Sequence, residues 1–280
     1  MRVLFTTDGS RESSDALRAG SRLLAVQDRE AEVLYVTPER SRAGLEGRLA
    51  SHTRSILREA GRILAEEGCA ARATCRTGSP ARILLHESKQ YDVTVLGAKG
   101  RGDESKGGLG PVSSRLVEHA DGCVLIVRTP PPDRQPRILV PFDGSDGSEQ
   151  ALDMLASFFN LESADVTLLH VIESLWLPED ENGESQEGAA QVGLQLRLEA
   201  EALLNEARSK ILPLHSGIST LIREGVPANE ILSAADEGEY DLIVLGATAA
   251  TDLKHQVLGS VSSKVAWNAP CSVLLVRVPE

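Results

Sequence analysis

The 280-residue chain contains one sequence pattern twice, and this duplication constrains its fold more than any other feature. RVLFTTDGSRESSDAL at residues 2–17 returns as RILVPFDGSDGSEQAL at residues 137–152. Three further pairs follow in the same order: GSPARILL (78–85) with GVPANEIL (225–232), YDVTVLGA (91–98) with YDLIVLGA (240–247), and CVLIVR (123–128) with SVLLVR (272–277). Several matches in one order indicate a tandem duplication.

A proline-rich segment marks the boundary between the two copies. TPPPDRQP occupies residues 129–136, and its prolines are typical of an extended spacer, because proline cannot continue a helix. We therefore predict a first domain at residues 1–129, a linker at 130–136 and a second domain at 137–280. Each domain is long enough to bury a core of its own.

Within each copy, short apolar runs alternate with segments of helical period. VLFTT is followed by a helical pattern, then by AEVLYV and then by a long amphipathic stretch. Continuous apolar runs such as VTVLG and LIVLG are typical of strands buried on both faces, which favours parallel sheets covered by helices. The predicted fold class is α/β, with two tandem doubly wound domains that bind ligands beyond the carboxyl ends of their strands.

Composition disfavours several functional classes. An aromatic content of 3% leaves few rings on which nucleic-acid bases could stack. No run approaches the roughly 18 apolar residues of a membrane span, and MRVLFTTDGS begins a strand without a signal-peptide pattern. We therefore expect a cytoplasmic protein without nucleic-acid or membrane partners. The four cysteines lack CxxC spacing, so neither a zinc site nor a disulfide framework is expected.

The net charge of −12 is divided unevenly between the copies. Of 29 lysines and arginines and 41 acidic residues in the chain, residues 1–134 hold 21 and 18, which leaves 8 and 23 for the rest. The first part is therefore net +3 and the second −15. Because strong negative charge repels polyanions, the second part is the poorer place for a phosphate-bearing ligand.

Each copy carries a glycine-rich loop between an apolar strand and a helix. GAKGRGDESKGGLGPVSS runs from Gly97 to Ser114, and GATAATDLKHQVLGSVSS runs from Gly246 to Ser263. Glycines let backbone N–H groups approach a phosphate, and the start of a helix adds unpaired donors. The loops are candidate anion sites, and a plain strand-to-helix turn is the alternative interpretation. Neither GxGxxG nor GxxxxGK[ST] occurs, which argues against a dinucleotide Rossmann site and a Walker loop.

In combination, the motifs resemble the universal stress protein family. They are a strand that ends in DGS, a helix introduced by GxP, a YDxxVLG strand, the spacing G-x2-G-x9-G-S/T and a closing apolar strand. The tandem resemblance covers essentially the whole chain. It implies five parallel strands per domain in the order 3-2-1-4-5, and closing strands that pair with each other as an intramolecular pseudo-dimer. Association of two chains into a homodimer stays open.

The resemblance also implies an ATP site, which one branch of the family has. There, the first-strand aspartate and the backbone at the end of the second strand hold adenine, while the glycines and the hydroxyls that follow them hold ribose and phosphates. The candidate residues in the first copy are Asp8, Val36, Gly97, Gly100, Gly110, Val112 and Ser113, and the loop charge adds Lys99 and Arg101. Those implied in the second copy are Asp143, Val171, Gly246, Gly259, Ser260, Val261 and Ser262. Magnesium is expected to come with the nucleotide.

Both copies depart from the family pattern at one position. The first has Pro111 where serine or threonine is expected, which removes a hydroxyl and a backbone N–H. The second has Ala249 in place of the middle glycine. Alanine there is strained by about 1 kcal/mol if the position needs positive φ, and it collides with the ligand if the backbone must approach closely.

Loop charge then favours the first copy as the ATP site. Its loop carries Lys99, Arg101 and Lys106, whereas the second loop carries Lys254 and His255 in a strongly acidic half. We predict an ATP-binding regulator of the stress response in which the first domain holds the nucleotide. We expect at most slow ATP hydrolysis and no catalytic residue or protein metal site, because no general base or set of metal-binding carboxylates is evident.

Two other interpretations stay open at this stage. A nucleotide-free scaffold of the same fold would explain both departures, and Asp8 and Asp143 would then serve only in turns or helix caps, since DGS before a helix suits both. An adenylyl-transferring enzyme of similar fold would require a further catalytic motif, which is not visible.

Overall fold

The computed structural model describes residues 1–24, 30–37, 46–101, 108–130, 133–159, 164–173, 185–212, 217–247 and 258–277. The strands in these ranges are β1 (Arg2–Thr7), β2 (Glu30–Thr37), β3 (Ala71–Thr77), β4 (Val93–Gly97), β5 (Cys123–Val127), β6 (Arg137–Pro141), β7 (Asp165–Glu173), β8 (Ile218–Gly225), β9 (Leu242–Gly246) and β10 (Ser272–Val276). The helices are α1 (Arg11–Leu23), α2 (Glu46–Glu66), α3 (Pro80–Ser88), α4 (Pro111–His119), α5 (Asp146–Phe158), α6 (Ser185–Ile211), α7 (Pro227–Glu237) and α8 (Ser260–Asn268). None of these helices has the length and apolar character needed to cross a membrane.

The ten strands form one sheet in the order β3-β2-β1-β4-β5-β10-β9-β6-β7-β8. We call β1–β5 with their helices the first half and β6–β10 with theirs the second half. All pairings within each half are parallel. Each half thus has the strand order that the resemblance implied, and it reverses between β1 and β4 in the first half and between β6 and β9 in the second.

Alternate residues of the central strands enter two hydrophobic cores on opposite faces of the sheet. In β1, Val3 and Phe5 belong to one core, while Leu4 belongs to the other. Successive side chains of a strand point to opposite faces, so a strand covered on both sides must be apolar throughout. Helices α1, α2, α5 and α6 contribute to the first core, and α3, α4, α7 and α8 to the second. The predicted doubly wound α/β class is confirmed.

The two halves meet where β5 pairs with β10 in the antiparallel direction. Leu125 faces Leu274 at the middle of this seam. All five residues of each strand are buried, so the pairing removes two apolar strand edges from solvent. The expectation that the closing strands pair with each other is confirmed.

The two DGS motifs form equivalent turns between a first strand and a helix. Ser10 is the N-cap of α1 and accepts a hydrogen bond from the N–H of Ser13 at 3.1 Å. Ser145 caps α5 in the same way through the N–H of Ser148 at 3.3 Å. The glycine of each motif has φ near +76° or +78°, a conformation that favours glycine. The serine of DGS is therefore the capping residue, and the aspartate accepts a hydrogen bond from the serine N–H within the same turn.

Candidate functional site

Each half of the sheet borders a cavity at the point where its strand order reverses. In the first half, Asp8 and Gly97 lie at the carboxyl ends of the neighbouring strands β1 and β4. The cavity beside them, the first cavity, has a volume of about 420 Å³. The second cavity, of about 380 Å³, lies at the ends of β6 and β9. Small-molecule sites commonly enclose roughly 300–1,000 Å³, so both cavities are large enough for a ligand.

Every candidate nucleotide-binding residue lines one of the two cavities. In the first cavity these are Asp8, Val36, Gly97, Lys99, Gly100, Arg101, Gly110, Val112 and Ser113. In the second they are Asp143, Val171, Gly246, Gly259, Ser260, Val261 and Ser262. The fold thus brings each set together around one space, while binding itself stays a prediction.

The carboxylate of Asp8 connects the end of β1 to the first glycine loop. Its Oδ1 accepts a hydrogen bond from the N–H of Ser10 at 2.9 Å, and its Oδ2 accepts one from the N–H of Arg101 at 2.6 Å. Burial disfavours the charged form of Asp8, but hydrogen bonds from Ser10 and Arg101 outweigh this effect and hold its pKa below the usual value. Asp8 is therefore an ionised group that fixes the loop beside the cavity.

Gly100 lies against the carboxylate of Asp8, and a side chain at this position would displace the loop or the carboxylate. A Cβ built on Gly100 would lie 2.7 Å from Oδ2 of Asp8, nearer than two such atoms can pack. The described glycines with positive φ do not include Gly100, so the constraint at this position is space and not backbone conformation. The close contact is with Asp8, whereas the reasons expected from the sequence for a glycine at this position of the loop were positive φ or close approach to a ligand.

Two cations border the first cavity. The Lys99 side chain is half-buried and Arg101 is exposed. The guanidinium of Arg101 also reaches back toward the DGS turn, because a Cβ on Gly9 would lie 3.0 Å from its Nη2. Together with the charge of Asp8, these side chains give the described lining a net charge of +1.

The start of α4 presents fewer hydrogen-bond donors to the cavity than the resemblance implied. Pro111 occupies the first helical position and has no N–H. The hydroxyl of Ser113 is 2% exposed and donates within the protein, lying 2.5 Å from the carbonyl oxygen of Ala98 and 3.0 Å from that of Gly110. Ser113 therefore ties α4 to the end of β4, and the N–H groups of the first turn are the donors left for a ligand.

The second cavity has a different carboxylate arrangement. Oδ1 of Asp143 accepts both from the N–H of Ser145 at 3.0 Å and from its hydroxyl at 2.6 Å. Burial opposes ionisation of Asp143, but the hydrogen bonds from Ser145 prevail and lower its pKa. Glu173, at the end of β7, lines the same cavity. The described lining of the second cavity is therefore net −2.

The glycine and serine positions of the second cavity divide into structural and accessible groups. A Cβ on Gly246 would lie 2.3 Å from the carbonyl oxygen of Gly147 in α5, so Gly246 is required for strand–helix packing. The hydroxyl of Ser262 donates to the carbonyl of Gly246 at 2.7 Å. By contrast, Ser260 opens α8, is exposed and lines the cavity. Ser260 offers the hydroxyl and N–H that Pro111 lacks.

Sequence reasoning missed two side chains that shape the cavities. Tyr35 lines the first cavity and is 8% exposed; burial raises the pKa of its hydroxyl, against the opposing charge of Arg101. Glu173 brings a second negative charge into the second cavity. Both lie at or near the end of a second strand beside a residue that was singled out, Val36 or Val171. The rule that ligands bind at strand ends could have identified them.

Four residues on which the sequence argument relied lie outside the described residues. They are Lys106, Ala249, Lys254 and His255. Within the described ranges, no three histidine, cysteine, aspartate or glutamate side chains are grouped so that they could hold a metal ion.

Comparison with known proteins places both halves of the chain in one family. Residues 1–128 and residues 136–277 each match the model of the universal stress protein family. A universal stress protein of Mycolicibacterium smegmatis is 25% identical over 301 aligned residues, which cover 98% of this chain and 96% of the relative. Universal stress protein MJ0531 of Methanocaldococcus jannaschii is 33% identical over 147 residues, which cover 51% of this chain and 83% of the relative.

Among solved structures, the crystal structure of a universal stress protein from Archaeoglobus fulgidus has the same arrangement over nearly its full length. The two chains superpose with a TM-score of 0.68 at 21% sequence identity, and the match covers 99% of this chain and 98% of the other. At this identity the likeness concerns the fold alone.

Proposed function

The chain belongs to the universal stress protein family, and from this premise we propose that it binds ATP in the first cavity and acts as a nucleotide-dependent regulator with little or no hydrolytic activity. The observation that carries the proposal is the grouping of Lys99, Arg101 and the ionised Asp8 around one cavity of about 420 Å³. A nucleotide needs both an acceptor for its base and cations for its phosphates, and this set supplies both.

The cavity walls suggest how the parts of the nucleotide would be divided. Leu34, Val36 and Leu84 form apolar surface near the end of β2, which suits a purine ring. The carboxylate of Asp8 would accept a hydrogen bond from the exocyclic amino group of adenine, in addition to those it already accepts. Lys99 and Arg101 would bind the phosphates, because charge-assisted hydrogen bonds to phosphate are strong and Arg101 can make two in parallel.

Magnesium would enter this cavity bound to the phosphates, because the described lining supplies too few carboxylates to hold the ion alone. Asp8 is the sole carboxylate among the described lining residues of the first cavity, and Mg²⁺ in nucleotide sites commonly keeps several waters while it bridges phosphate oxygens. The ion would neutralise part of the phosphate charge, and Lys99 and Arg101 would balance the remainder.

Slow hydrolysis follows from the state of Asp8. A general base needs a pKa near the working pH, whereas hydrogen bonds hold the pKa of Asp8 below its usual value. Both of its oxygens also accept hydrogen bonds from the backbone. Asp8 would therefore position the ligand and would activate a water molecule poorly.

The decisive experiment is to denature freshly purified protein, identify any released nucleotide by mass and count moles per chain. The same measurement on Asp8→Ala and on its matched counterpart Asp143→Ala separates the cavities, since both aspartates end a first strand and bind the backbone of a DGS turn. Loss of adenine nucleotide in Asp8→Ala alone is the expected result. Equal loss in both variants would contradict the assignment to the first cavity.

A nucleotide-free scaffold is the second candidate, and the start of α4 favours it. Pro111 has no N–H, and the hydroxyl of Ser113 is already engaged with two carbonyl oxygens. Protein that is purified empty and shows no heat of binding with ATP and magnesium by calorimetry would make this second candidate the better one.

A further inference from the structure

Two arginines cross the seam between the halves in opposite directions. Arg277 follows β10 and is 5% exposed; its guanidinium donates to carbonyl oxygens at the end of α4, including that of Ala120 at 3.0 Å. Arg128 follows β5 and donates through Nη2 to the carbonyl oxygen of Ala266 near the end of α8. The two residues occupy equivalent positions in the duplicated sequence. A cation at a helix C-terminus is favourable, so each half stabilises a helix of the other.

The two arginines differ in one respect: Arg128 also contacts the glycine loop beside the first cavity. Nη1 of Arg128 donates to the carbonyl oxygen of Gly108 at 3.2 Å, and Gly108 lies two residues before Gly110, which opens α4. The ring of Trp267 from α8 packs on the same glycine, since a Cβ on Gly108 would lie 3.7 Å from its Cε3. Within the described residues, the hydrogen bonds of the Arg277 guanidinium go to α4 alone.

The end of the first loop is in turn bound to the residue that directly follows β4. The N–H of Gly110 donates to the carbonyl oxygen of Ala98 at 2.8 Å, and Lys99 follows directly. Lys99 lines both the first cavity and a cleft of about 380 Å³ between the halves, and Arg128 and Trp267 line that cleft. Arg128 and Trp267, which hold the end of the loop against α8, therefore lie beside the cation assigned to phosphate.

We propose that Arg128 and Trp267 are positioning residues for the first cavity, which brace the end of its glycine loop against α8 of the second half. Residues of both halves then position the wall of the first cavity. Arg128 does not touch the ligand and acts on it only through Gly108, Gly110 and Lys99. The effect on nucleotide affinity rests on the proposed function, whereas the effect on the loop does not.

Amide hydrogen exchange tests the brace without any ligand. The reporter is the N–H of Gly110, and its matched control is the N–H of Gly259, which makes the equivalent bond to Ala247 at 3.1 Å in the second half. In Arg128→Met we expect exchange at Gly110 to accelerate about tenfold, which corresponds to about 1.4 kcal/mol, and exchange at Gly259 to change less than threefold. Acceleration at both amides to the same extent, or at neither, would overturn the proposal.

Two further variants keep the test decisive. Arg277→Met removes a buried arginine that binds only helix carbonyls, so it should lower thermal stability without the selective change at Gly110. Trp267→Leu removes the ring and retains Arg128; it should accelerate exchange at Gly110 about threefold and serves as the test if Arg128→Met does not fold. A selective change at Gly110 in Arg277→Met, or none in Trp267→Leu, would contradict the brace.

Calorimetry with ATP and magnesium on the full chain then separates the two proposals. If the brace positions Lys99, Arg128→Met binds ATP about tenfold more weakly than the wild type, and Arg277→Met stays within threefold. Unchanged affinity in Arg128→Met would overturn the positioning role. A wild type that binds no nucleotide would contradict the proposed function, and the exchange result at Gly110 would still decide the brace.

Discussion

The two cavities come from one duplicated sequence, and they differ in charge more than in volume. Their volumes are about 420 and 380 Å³, and both lie where the strand order reverses. The first has Lys99 and Arg101 against one aspartate, whereas the described lining of the second has Asp143 and Glu173. Duplication thus retained the space and altered the side chains that choose a ligand, which is how one fold comes to carry different sites.

In hydrogen-bond donors at the adjoining helix start, α4 or α8, the second cavity is better supplied than the first. Ser260 presents a hydroxyl and an N–H to the second cavity, and Pro111 presents neither to the first. The first cavity therefore has the favourable charge and the second the more complete helix terminus. A cation and a phosphate carry opposite charges, so their hydrogen bonds gain a Coulomb attraction that a neutral hydroxyl or N–H does not supply.

Removal of both cations should have the largest effect on ATP binding in the first cavity. We expect Lys99→Ala with Arg101→Ala to weaken ATP binding about a hundredfold or more, because two charge-assisted contacts are lost. Lys254→Ala, the substitution of the lysine in the second loop, is the control and should change affinity less than threefold. Calorimetric titration on the full chain checks this, and equal losses would refute the preference for the first cavity.

A methyl group at Gly100 should impair the first cavity through its backbone. In Gly100→Ala the new Cβ would lie 2.7 Å from Oδ2 of Asp8, so the loop or the Asp8 side chain must shift, which disturbs the bond from the Arg101 N–H to that oxygen. We expect ATP affinity to fall roughly ten- to a hundredfold.

Gly61→Ala is the matched control for that substitution. Gly61 lies inside α2, and a Cβ there meets nothing within 4 Å. This variant should retain full affinity and gain up to about 1 kcal/mol of stability, because alanine is the better helix former. Wild-type affinity in Gly100→Ala would show that the contact of the loop with Asp8 is dispensable.

A serine at the start of α4 should give the first cavity the hydroxyl and N–H that Ser260 gives the second. Pro111→Ser adds an N–H and a hydroxyl at the cavity wall, and we expect ATP to bind about tenfold more tightly. Ser260→Pro is the reciprocal variant and should leave the affinity of the first cavity unchanged. Titration of both variants checks this, and an unaltered Kd in Pro111→Ser would mean that phosphate does not reach this position.

Neutralisation of Glu173 should produce the smallest effect. Glu173→Gln removes one exposed negative charge from the second cavity, and exposed charge interactions are commonly below about 1 kcal/mol. With excess ATP, we expect any weak second binding event to tighten about threefold. The first binding event should not change, and a change there would show that Glu173 acts on the first cavity.

Much of the fold and of the site could be predicted from local sequence. The apolar runs predicted parallel strands because a strand buried on both faces needs apolar residues throughout, and β1, with Leu4 facing one core and Phe5 the other, follows that rule. The motifs likewise identified side chains that line one cavity per half. Their roles were harder to predict, since Ser113 and Ser262 turned out to bind carbonyl oxygens of their own strands and loops.

Local sequence was enough to identify the duplication, the α/β class and the residues that gather at each strand-order reversal, because these depend on short segments and their periodicity. The folded chain was needed to show that Asp8 binds the N–H of Arg101, that Glu173 lines the second cavity and that Arg128 joins Gly108 to Ala266. These contacts join residues that are distant in the chain. Strand register and helix packing bring them within hydrogen-bonding distance, and no local pattern encodes that proximity.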